Sequence, residues 1–207
     1  SPEMSFTQLT GQLNFVNDVI DSKDLQLHWQ GLPLAVKVSS HDEADYFHSR
    51  IAMQADWSLA DWQAHVPESL AHYGQGSLTW QGDLTLKNYH DGDFSYRADV
   101  SSSLAQLALT LPAPFAKSAE QDLMTKLTIT GEKSSSVIEA QVGEKLRFYG
   151  VLAHDQQVSF SRAHLLLGED AMLLPLEGFH ITSALAQADF SKWQSLVNNI
   201  IAGINIT

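Results

Sequence analysis

Residues 76–111 read GSLTWQGDLTLKNYHDGDFSYRADVSSSLAQLALTL, and the sequence pattern of this stretch indicates the fold most clearly. Apolar side chains occupy every second position in three of its segments, which is typical of strands with one buried and one solvated face. The pair Asp91-Gly92 separates the first two segments and predicts a tight hairpin turn. Gly82 interrupts the first segment, which predicts a β-bulge or a bend. The stretch therefore predicts a meander with one apolar face.

The apolar positions of this stretch and of two later strands form the candidate contact surface for an apolar ligand. All are large hydrophobic or aromatic side chains on the apolar phase of their own strand. They are Leu78, Trp80, Leu84, Leu86, Phe94, Tyr96, Val100, Leu107, Leu109, Phe148 and Phe160. A large exposed apolar patch normally marks a binding surface, so the function depends on what covers these side chains.

Composition excludes several classes of protein. Of the 207 residues, 44% are hydrophobic and 17% charged, which is ordinary for a folded protein. The formal net charge is −12 and the twelve Lys and Arg are scattered, which argues against a nucleic-acid partner. Without cysteine, the chain can form no disulfide, thiolate nucleophile or zinc–thiolate site. No apolar run approaches the roughly 20 residues of a membrane-spanning helix.

The length allows one large all-β domain or two small ones. We interpret residues 1–207 as a single β-rich segment of a longer protein. Within it, a first sheet portion with a short helix would occupy residues 1–66. Two meanders and a C-terminal helix would occupy residues 67–207.

The remainder of the chain repeats the alternating pattern of the central stretch. A change of apolar phase near Arg162 predicts a β-bulge in the last strand of a second meander. The further predicted strands span residues 4–19, 25–29, 32–38, 45–57, 127–130, 137–142, 146–152, 158–167 and 178–188.

Helices are few in the predicted fold. Ser58 is typical of an N-terminal cap and predicts a short helix over residues 59–65. Residues 118–121 have the spacing of a capping box and predict a short helix or a turn. Ser191 and Gln194 form a second capping box, followed by apolar residues at helical spacing. This last helix is predicted to lie flat on the sheet through its apolar stripe.

The predicted fold class is mainly β: a large curved antiparallel sheet, partly open as a groove or barrel-like, with a C-terminal amphipathic helix packed on it. About ten strands with one apolar face outnumber the helices that could cover them. A sandwich or closed barrel would bury that face internally. An open sheet would instead hold an apolar ligand, and each buried methylene contributes about 0.8 kcal/mol.

The sequence supports a catalytic or metal-binding role less well than it supports an apolar surface. Asp91 and Asp93 form a carboxylate pair of the kind used in glycoside hydrolysis, but they flank a turn glycine, and turn chemistry explains both. The five tryptophans lie on apolar phases, which favours core packing or groove lining over sugar stacking. We predict no catalytic residue, metal or cofactor. The densest group of potential metal ligands lacks any zinc spacing and is interpreted as a solvated loop: His41, Asp42, Glu43, Asp45 and His48.

Three motifs occur in a recognisable order along the chain. Residues 76–86 alternate as Gly-x-Leu-x-Trp-x-Gly-x-Leu-x-Leu, and residues 111–117 read Leu-Pro-Ala-Pro-Phe-Ala-Lys. Residues 176–181 read Leu-Glu-Gly-Phe-His-Ile and precede Ala-Asp-Phe-Ser-Lys-Trp at 188–193. This order resembles the large AsmA-like proteins of Gram-negative envelopes, in particular the YhdP family.

The resemblance implies a periplasmic, non-enzymatic segment of a protein anchored in the inner membrane by an N-terminal helix that is not in this chain. It implies a long hydrophobic groove that shields phospholipid between the inner and outer membranes. The implied partners are phospholipid acyl chains and the remaining segments of the same long chain, with other envelope proteins as further candidates. The alternative is a structural or protein-interaction β-domain with a fully internal core and no ligand.

Overall fold

The computed structural model describes residues 6–17, 19–62, 65, 71–154, 159–168, 173, 175–185 and 189–203. Within these ranges the protein is mainly β, as predicted. The helices bounded there are α1 (Leu59–Trp62) and α2 (Phe190–Gly203). The strands are β1 (Phe6–Val16), β2 (Val19–Trp29), β3 (Leu32–Asp42), β4 (Tyr46–Ser58), β5 (Gly74–Tyr89), β6 (Phe94–Ser102), β7 (Leu107–Leu109), β8 (Thr125–Glu132), β9 (Ser135–Val142), β10 (Leu146–Ala153), β11 (Ser159–Gly168) and β12 (Gly178–Ala184).

The twelve strands form one open sheet. Its order is β1-β2-β3-β4-β5-β6-β8-β9-β10-β11-β12, and β7 lies off this path against β5. All neighbouring strands are antiparallel except β11 and β12, which are parallel. Among the described strands, β1 and β12 each have one neighbour. The closed barrel and the two-sheet sandwich are therefore not the architecture of the described residues.

The long strands β4 and β5 form the centre of the sheet. They pair from Tyr46 opposite Tyr89 to Ser58 opposite Ser77 without a register shift. The division proposed between residues 66 and 67 falls in the connection between these two strands, and it stays a prediction.

The hairpin predicted at Asp91-Gly92 is confirmed. Gly92 has a φ of 95°, which glycine adopts without steric cost. The Gly92 amide donates to the Tyr89 carbonyl at 3.0 Å, and the Tyr89 amide donates to the Asp93 carbonyl at 2.8 Å. The Asp93 amide also donates to the Asp91 carboxylate at 3.1 Å, so the turn uses the Asp91 side chain and the Asp93 backbone.

The bulge predicted at Gly82 is wrong. Gly82 pairs regularly with Met53 on one side and with Val100 on the other. A Cβ atom at this position would lie 3.2 Å from the Trp80 ring and 3.4 Å from the Val100 side chain. The glycine therefore makes room for the indole of Trp80 rather than bending the strand.

The bulge predicted near Arg162 is confirmed. Val151 pairs with Arg162, whereas the next residue, Leu152, pairs with Phe160. The extra residue on β11 is Ser161. It lets Phe160 share a sheet face with Ala163 although an odd number of positions separates them.

The first predicted strand, residues 4–19, is interrupted by a turn. The strand β1 ends at Val16, and β2 begins at Val19 rather than at residue 25. Asn17 has a φ of 53°, a conformation that Asn tolerates better than most residues. The asparagine was the available sequence signal for this hairpin.

Both helix starts are defined by side-chain caps. The Asp61 amide donates to Ser58 Oγ at 3.1 Å, which confirms the predicted cap of α1. The start predicted at Ser191 is wrong, because α2 begins at Phe190 and the Lys192 amide donates to the Asp189 carboxylate at 3.3 Å. An aspartate one position before the first helical residue is as good a cap as serine.

The third segment of the central stretch is shorter than predicted. Strand β7 has three residues and pairs with Gly74–Gly76 at the start of β5, so β8 is the neighbour of β6. Leu104 and Gln106 both have positive φ, which turns the chain away after β6. The Ser77 amide donates to the Gln106 carbonyl at 3.2 Å and secures this turn.

Helix α2 packs through two residues of its apolar stripe, Trp193 and Leu196. The Trp193 ring meets the Phe115 ring edge to face, with 5.5 Å between centroids, and Leu196 is buried. The spacing of these residues on one helical face agrees with the amphipathic pattern in the sequence. In the described part of the chain, neither helix has the length and hydrophobicity needed to cross a membrane.

Candidate functional site

One row of apolar residues crosses ten strands of the sheet. Residues directly opposite each other in a ladder point to the same face, so the pairings define which side chains adjoin. Every member of this first row is apolar or glycine. The row runs Leu25, Val36, Met53, Gly82, Val100, Leu127, Ala140, Phe148, Leu165 and Ile181.

A second row runs beside the first on the same face, displaced from it by two residues on each strand. It crosses nine strands and again contains only apolar residues and glycine. Its members are Val38, Ile51, Leu84, Ala98, Ile129, Ile138, Gly150, Ala163 and Phe179. We call the sheet surface that carries these two rows the apolar face.

The apolar face is only partly covered along most of its length. Leu84, Val100, Leu127 and similar residues in the middle strands are half-buried rather than buried. At the β12 end, Ile181 is 56% exposed. A face that formed a closed core would bury such residues, so the sheet retains apolar surface that the described residues do not cover.

The structure places nine of the eleven sequence-predicted contact residues on the apolar face. The pairings bring β5, β6, β10 and β11 into one surface, so residues distant in sequence adjoin. Their role in contacting a ligand stays a prediction. The nine are Leu78, Trp80, Leu84, Leu86, Phe94, Tyr96, Val100, Phe148 and Phe160.

Leu107 and Leu109 lie in β7, outside the two rows. A Cβ atom at Gly74 would lie 2.8 Å from Leu59 and 3.9 Å from Leu107, so the leucines pack around this glycine. Leu107 is buried there. These two residues form a small cluster with α1 at one end of β5, a packing role that alternation alone did not reveal.

The β2–β5 part of the apolar face contains an aromatic core. The Trp57 ring lies 6.0 Å from the Trp29 ring and 5.2 Å from the Trp80 ring, measured between centroids. Trp57 is 5% exposed, and its indole nitrogen donates to the Pro33 carbonyl at 2.7 Å. Here the tryptophans pack against each other, in agreement with the core-packing interpretation of their spacing.

A polar group interrupts the apolar face beside the second row. The Tyr96 ring lies across Gly131, and its hydroxyl reaches the Ser136 hydroxyl two strands away. Ser136 Oγ is also 2.7 Å from His154 Nε2. The missing side chain at residue 131 therefore allows the tyrosine of β6, the serine of β9 and the histidine just after β10 to meet.

Gly131→Ala is expected to destabilise the sheet by about 1–3 kcal/mol, the usual effect of overpacking a filled site. The added methyl group would overlap the Tyr96 ring and separate its hydroxyl from Ser136. Hydrogen–deuterium exchange of the β8 amides measures the effect. Because the clash needs the ring, the same substitution in a Tyr96→Ala background should cause a much smaller loss. Equal losses in both backgrounds would contradict this account.

The opposite face of the sheet is polar and ion-paired. Asp83 and Asp99 stand directly opposite each other, and each carboxylate has an arginine partner. Arg50 donates to Asp83 at 2.7 Å, and Arg97 donates to Asp99 at 2.6 Å. The hydrogen bond from Arg97, assisted by one from Thr128, holds the pKa of Asp99 below its usual range. The two faces therefore differ in chemistry as the alternation predicts.

The potential metal ligands of the β3–β4 hairpin contact each other only in part. His41 Nε2 lies 3.0 Å from the Glu43 carboxylate, and the His41 and His48 rings meet at 4.9 Å between centroids. Within the ranges that the structure describes, no three His, Asp or Glu side chains are grouped closely enough to hold a metal ion.

A model of the protein family described as "YhdP protein" matches residues 1–205. The chain belongs to the YhdP family. It is 23% identical over 173 residues to the intermembrane phospholipid transporter YhdP of Escherichia coli (strain K12). That alignment covers 84% of this chain and 13% of the relative, so the chain spans a small part of the relative's length. No solved structure matches the chain.

In this member of the YhdP family, the apolar face extends beyond the residues that sequence analysis singled out. Leu127 and Ile138 continue the rows through β8 and β9, and Ile181 extends the first row to β12. These strands were predicted, and their alternation was the available signal. What the sequence lacked was the register that aligns their apolar residues with those of β5 and β6.

Proposed function

We propose that this chain is a periplasmic segment of an inner-membrane-anchored, non-enzymatic lipid-transport protein of the YhdP family. In this proposal the apolar face shields phospholipid acyl chains between the inner and outer membranes. The observation that carries it is the first row, which is apolar or glycine on ten consecutive strands of the sheet path. The similarity to the E. coli intermembrane phospholipid transporter supports the same activity.

The geometry of the rows suits an acyl chain. Strands in a sheet lie about 4.8 Å apart, so nine spacings give a row of roughly 43 Å, longer than the ~30 Å hydrocarbon core of a bilayer. Hydrophobic contact is non-directional, and successive strands of a row offer similar apolar surface. A lipid tail could therefore move along the row without passing a polar residue.

A structural or protein-interaction role is the second candidate. The aromatic core around Trp57 favours it, because that part of the apolar face is filled by the protein's own side chains. The half-buried middle strands and the exposed Ile181 favour the lipid-binding role instead. The two roles differ in whether lipid tails touch the middle of the rows.

Photo-crosslinking in cells tests the proposal. A benzophenone amino acid replaces Leu84 on the apolar face of the full-length protein or, as the matched control, Thr85 on the opposite face. Both native side chains are half-buried in the same strand, so only the direction differs. We expect phospholipid adducts by mass spectrometry from position 84 and few from position 85. Adducts from neither position, or equally from both, would refute the proposed contact.

A further inference from the structure

Three phenylalanines meet on the apolar face where it crosses β10, β11 and β12. The Phe148 ring lies 5.7 Å from the Phe160 ring and 6.5 Å from the Phe179 ring, measured between centroids. Phe160 is 47% exposed, and Phe179 is exposed as well. The rings form a second aromatic group on the apolar face, beside the β12 edge and separate from the aromatic core around Trp57.

The second row is covered beneath this group. Its first six members are half-buried, whereas the next two, Gly150 and Ala163, are buried, and Ala163 is 0% exposed. A Cβ atom at Gly150 would lie 2.7 Å from the Phe160 ring and 2.9 Å from the Phe148 ring. Two phenyl rings therefore occupy the space above the row at the point where a glycine pairs with an alanine.

Two independent features of the backbone bring the Phe160 ring to this position. Strict alternation from Ala163 would place Phe160 on the polar face, and the extra residue of the bulge, Ser161, returns it to the apolar face. The missing side chain at Gly150 on the neighbouring strand leaves the space that the ring fills. Bulges are frequent beside functional sites, where they redirect one side chain. The placement of this ring over the row is therefore a specific feature of the strand pair.

The Phe160 ring is held less firmly than the central indole of the aromatic core. Trp57 is buried, and its nitrogen donates to the Pro33 carbonyl, so its orientation is fixed. Phe160 has no polar group to bind, and almost half of its surface is exposed. Exposed side chains change rotamer within nanoseconds. Rotation about the Cα–Cβ bond of Phe160 can therefore move its ring off Gly150 and away from the row.

We propose that Phe160 is a movable plug of the second row. Its ring occupies the position of an acyl chain over Gly150 and Ala163, so a lipid tail crosses β10 and β11 along this row only after the ring turns outward. The hydrophobic contacts that the row loses when the ring leaves are replaced by contacts with the tail. The inference rests on the proposed lipid-transport function and adds to it a residue that controls passage.

Photo-crosslinking of the full-length protein in cells tests the plug. A benzophenone amino acid replaces Phe179, which pairs directly with Ala163 and whose phenyl ring is kept in the replacement. Phe160→Ala should raise the yield of phospholipid adducts at position 179 roughly two- to tenfold, the range expected when one competing aromatic contact is removed. The yield from a benzophenone at Leu84, at the other end of the row, should not change.

Two control variants show whether the ring acts as a plug or only packs the sheet. Phe94→Ala removes a ring that is 39% exposed on the same face but lies in β6, and Phe160→Tyr keeps the ring; both should leave the yield at position 179 unchanged. An unchanged or lower yield in Phe160→Ala, at equal protein abundance by immunoblot, would overturn the plug, and so would an equal rise in Phe94→Ala. Absence of adducts at Leu84 in the otherwise native protein would instead count against the proposed function, so the two failures are distinguishable.

Discussion

Trp57→Ala is expected to destabilise the β2–β5 part of the sheet by about 3–5 kcal/mol, the usual range for truncating a buried aromatic side chain. Trp57 is 5% exposed and contacts the rings of Trp29 and Trp80. Its removal would leave a cavity between two tryptophans and deprive the Pro33 carbonyl of its donor. Hydrogen–deuterium exchange of the β4 amides in the full-length protein measures this local free energy of opening.

Two control variants separate the effect of the indole donor from the effect of burying the aromatic ring. Trp57→Phe keeps an aromatic ring and removes the indole donor, so it should cost clearly less than the alanine variant. Phe179→Ala truncates an aromatic ring that is 56% exposed on β12, and we expect a loss below about 1 kcal/mol. If Trp57→Ala and Phe179→Ala had equal effects, the aromatic core would not be the stabilising centre of this part of the sheet.

Most of the strands were predictable because alternation depends only on local sequence. The hairpin at Gly92, the cap at Ser58 and the bulge near Arg162 each have a local cause, and all three are present. The parallel pairing of β11 and β12 was not predictable from alternation, because strand direction depends on how the connection between two strands runs. The bulge predicted at Gly82 is absent because a glycine that makes room for a neighbouring side chain and a glycine in a bulge look alike in sequence.

The candidate site was predictable strand by strand but not as a surface. Alternation tells which residues of one strand share a face, whereas the rows depend on the register between strands. Leu84 and Phe148 could be named from sequence, but their place in two adjacent rows could not. Leu107 had the right phase and still belongs to neither row, because the turn before it directs β7 to the start of β5.

Under the proposed lipid-transport function, Leu84→Asp is expected to reduce phospholipid transport at least tenfold. Leu84 is the third of the nine members of the second row and lies between Ile51 and Ala98. A lipid tail that moves along the row must cross β5, and there it would meet a carboxylate that has to lose water of hydration. Desolvating an unpaired charge costs several kcal/mol, and each 1.4 kcal/mol added to a barrier slows the step about tenfold. Half-exposure of residue 84 lets the aspartate stay hydrated in the lipid-free protein, so the fold should persist.

The matched control is Thr85→Asp, which places the same charge on the polar face one residue away. Transport is measured as the rate at which labelled phospholipid appears in the outer membrane, at equal protein abundance by immunoblot. The Thr85 variant should transport at close to the native rate, because that face already carries Asp83 and Asp99. If both variants transported normally, lipid tails would not cross the middle of the sheet. If both failed equally, the defect would reflect damage to β5 and not the chemistry of the apolar face. Only a loss confined to Leu84→Asp follows from a tail that slides along the rows.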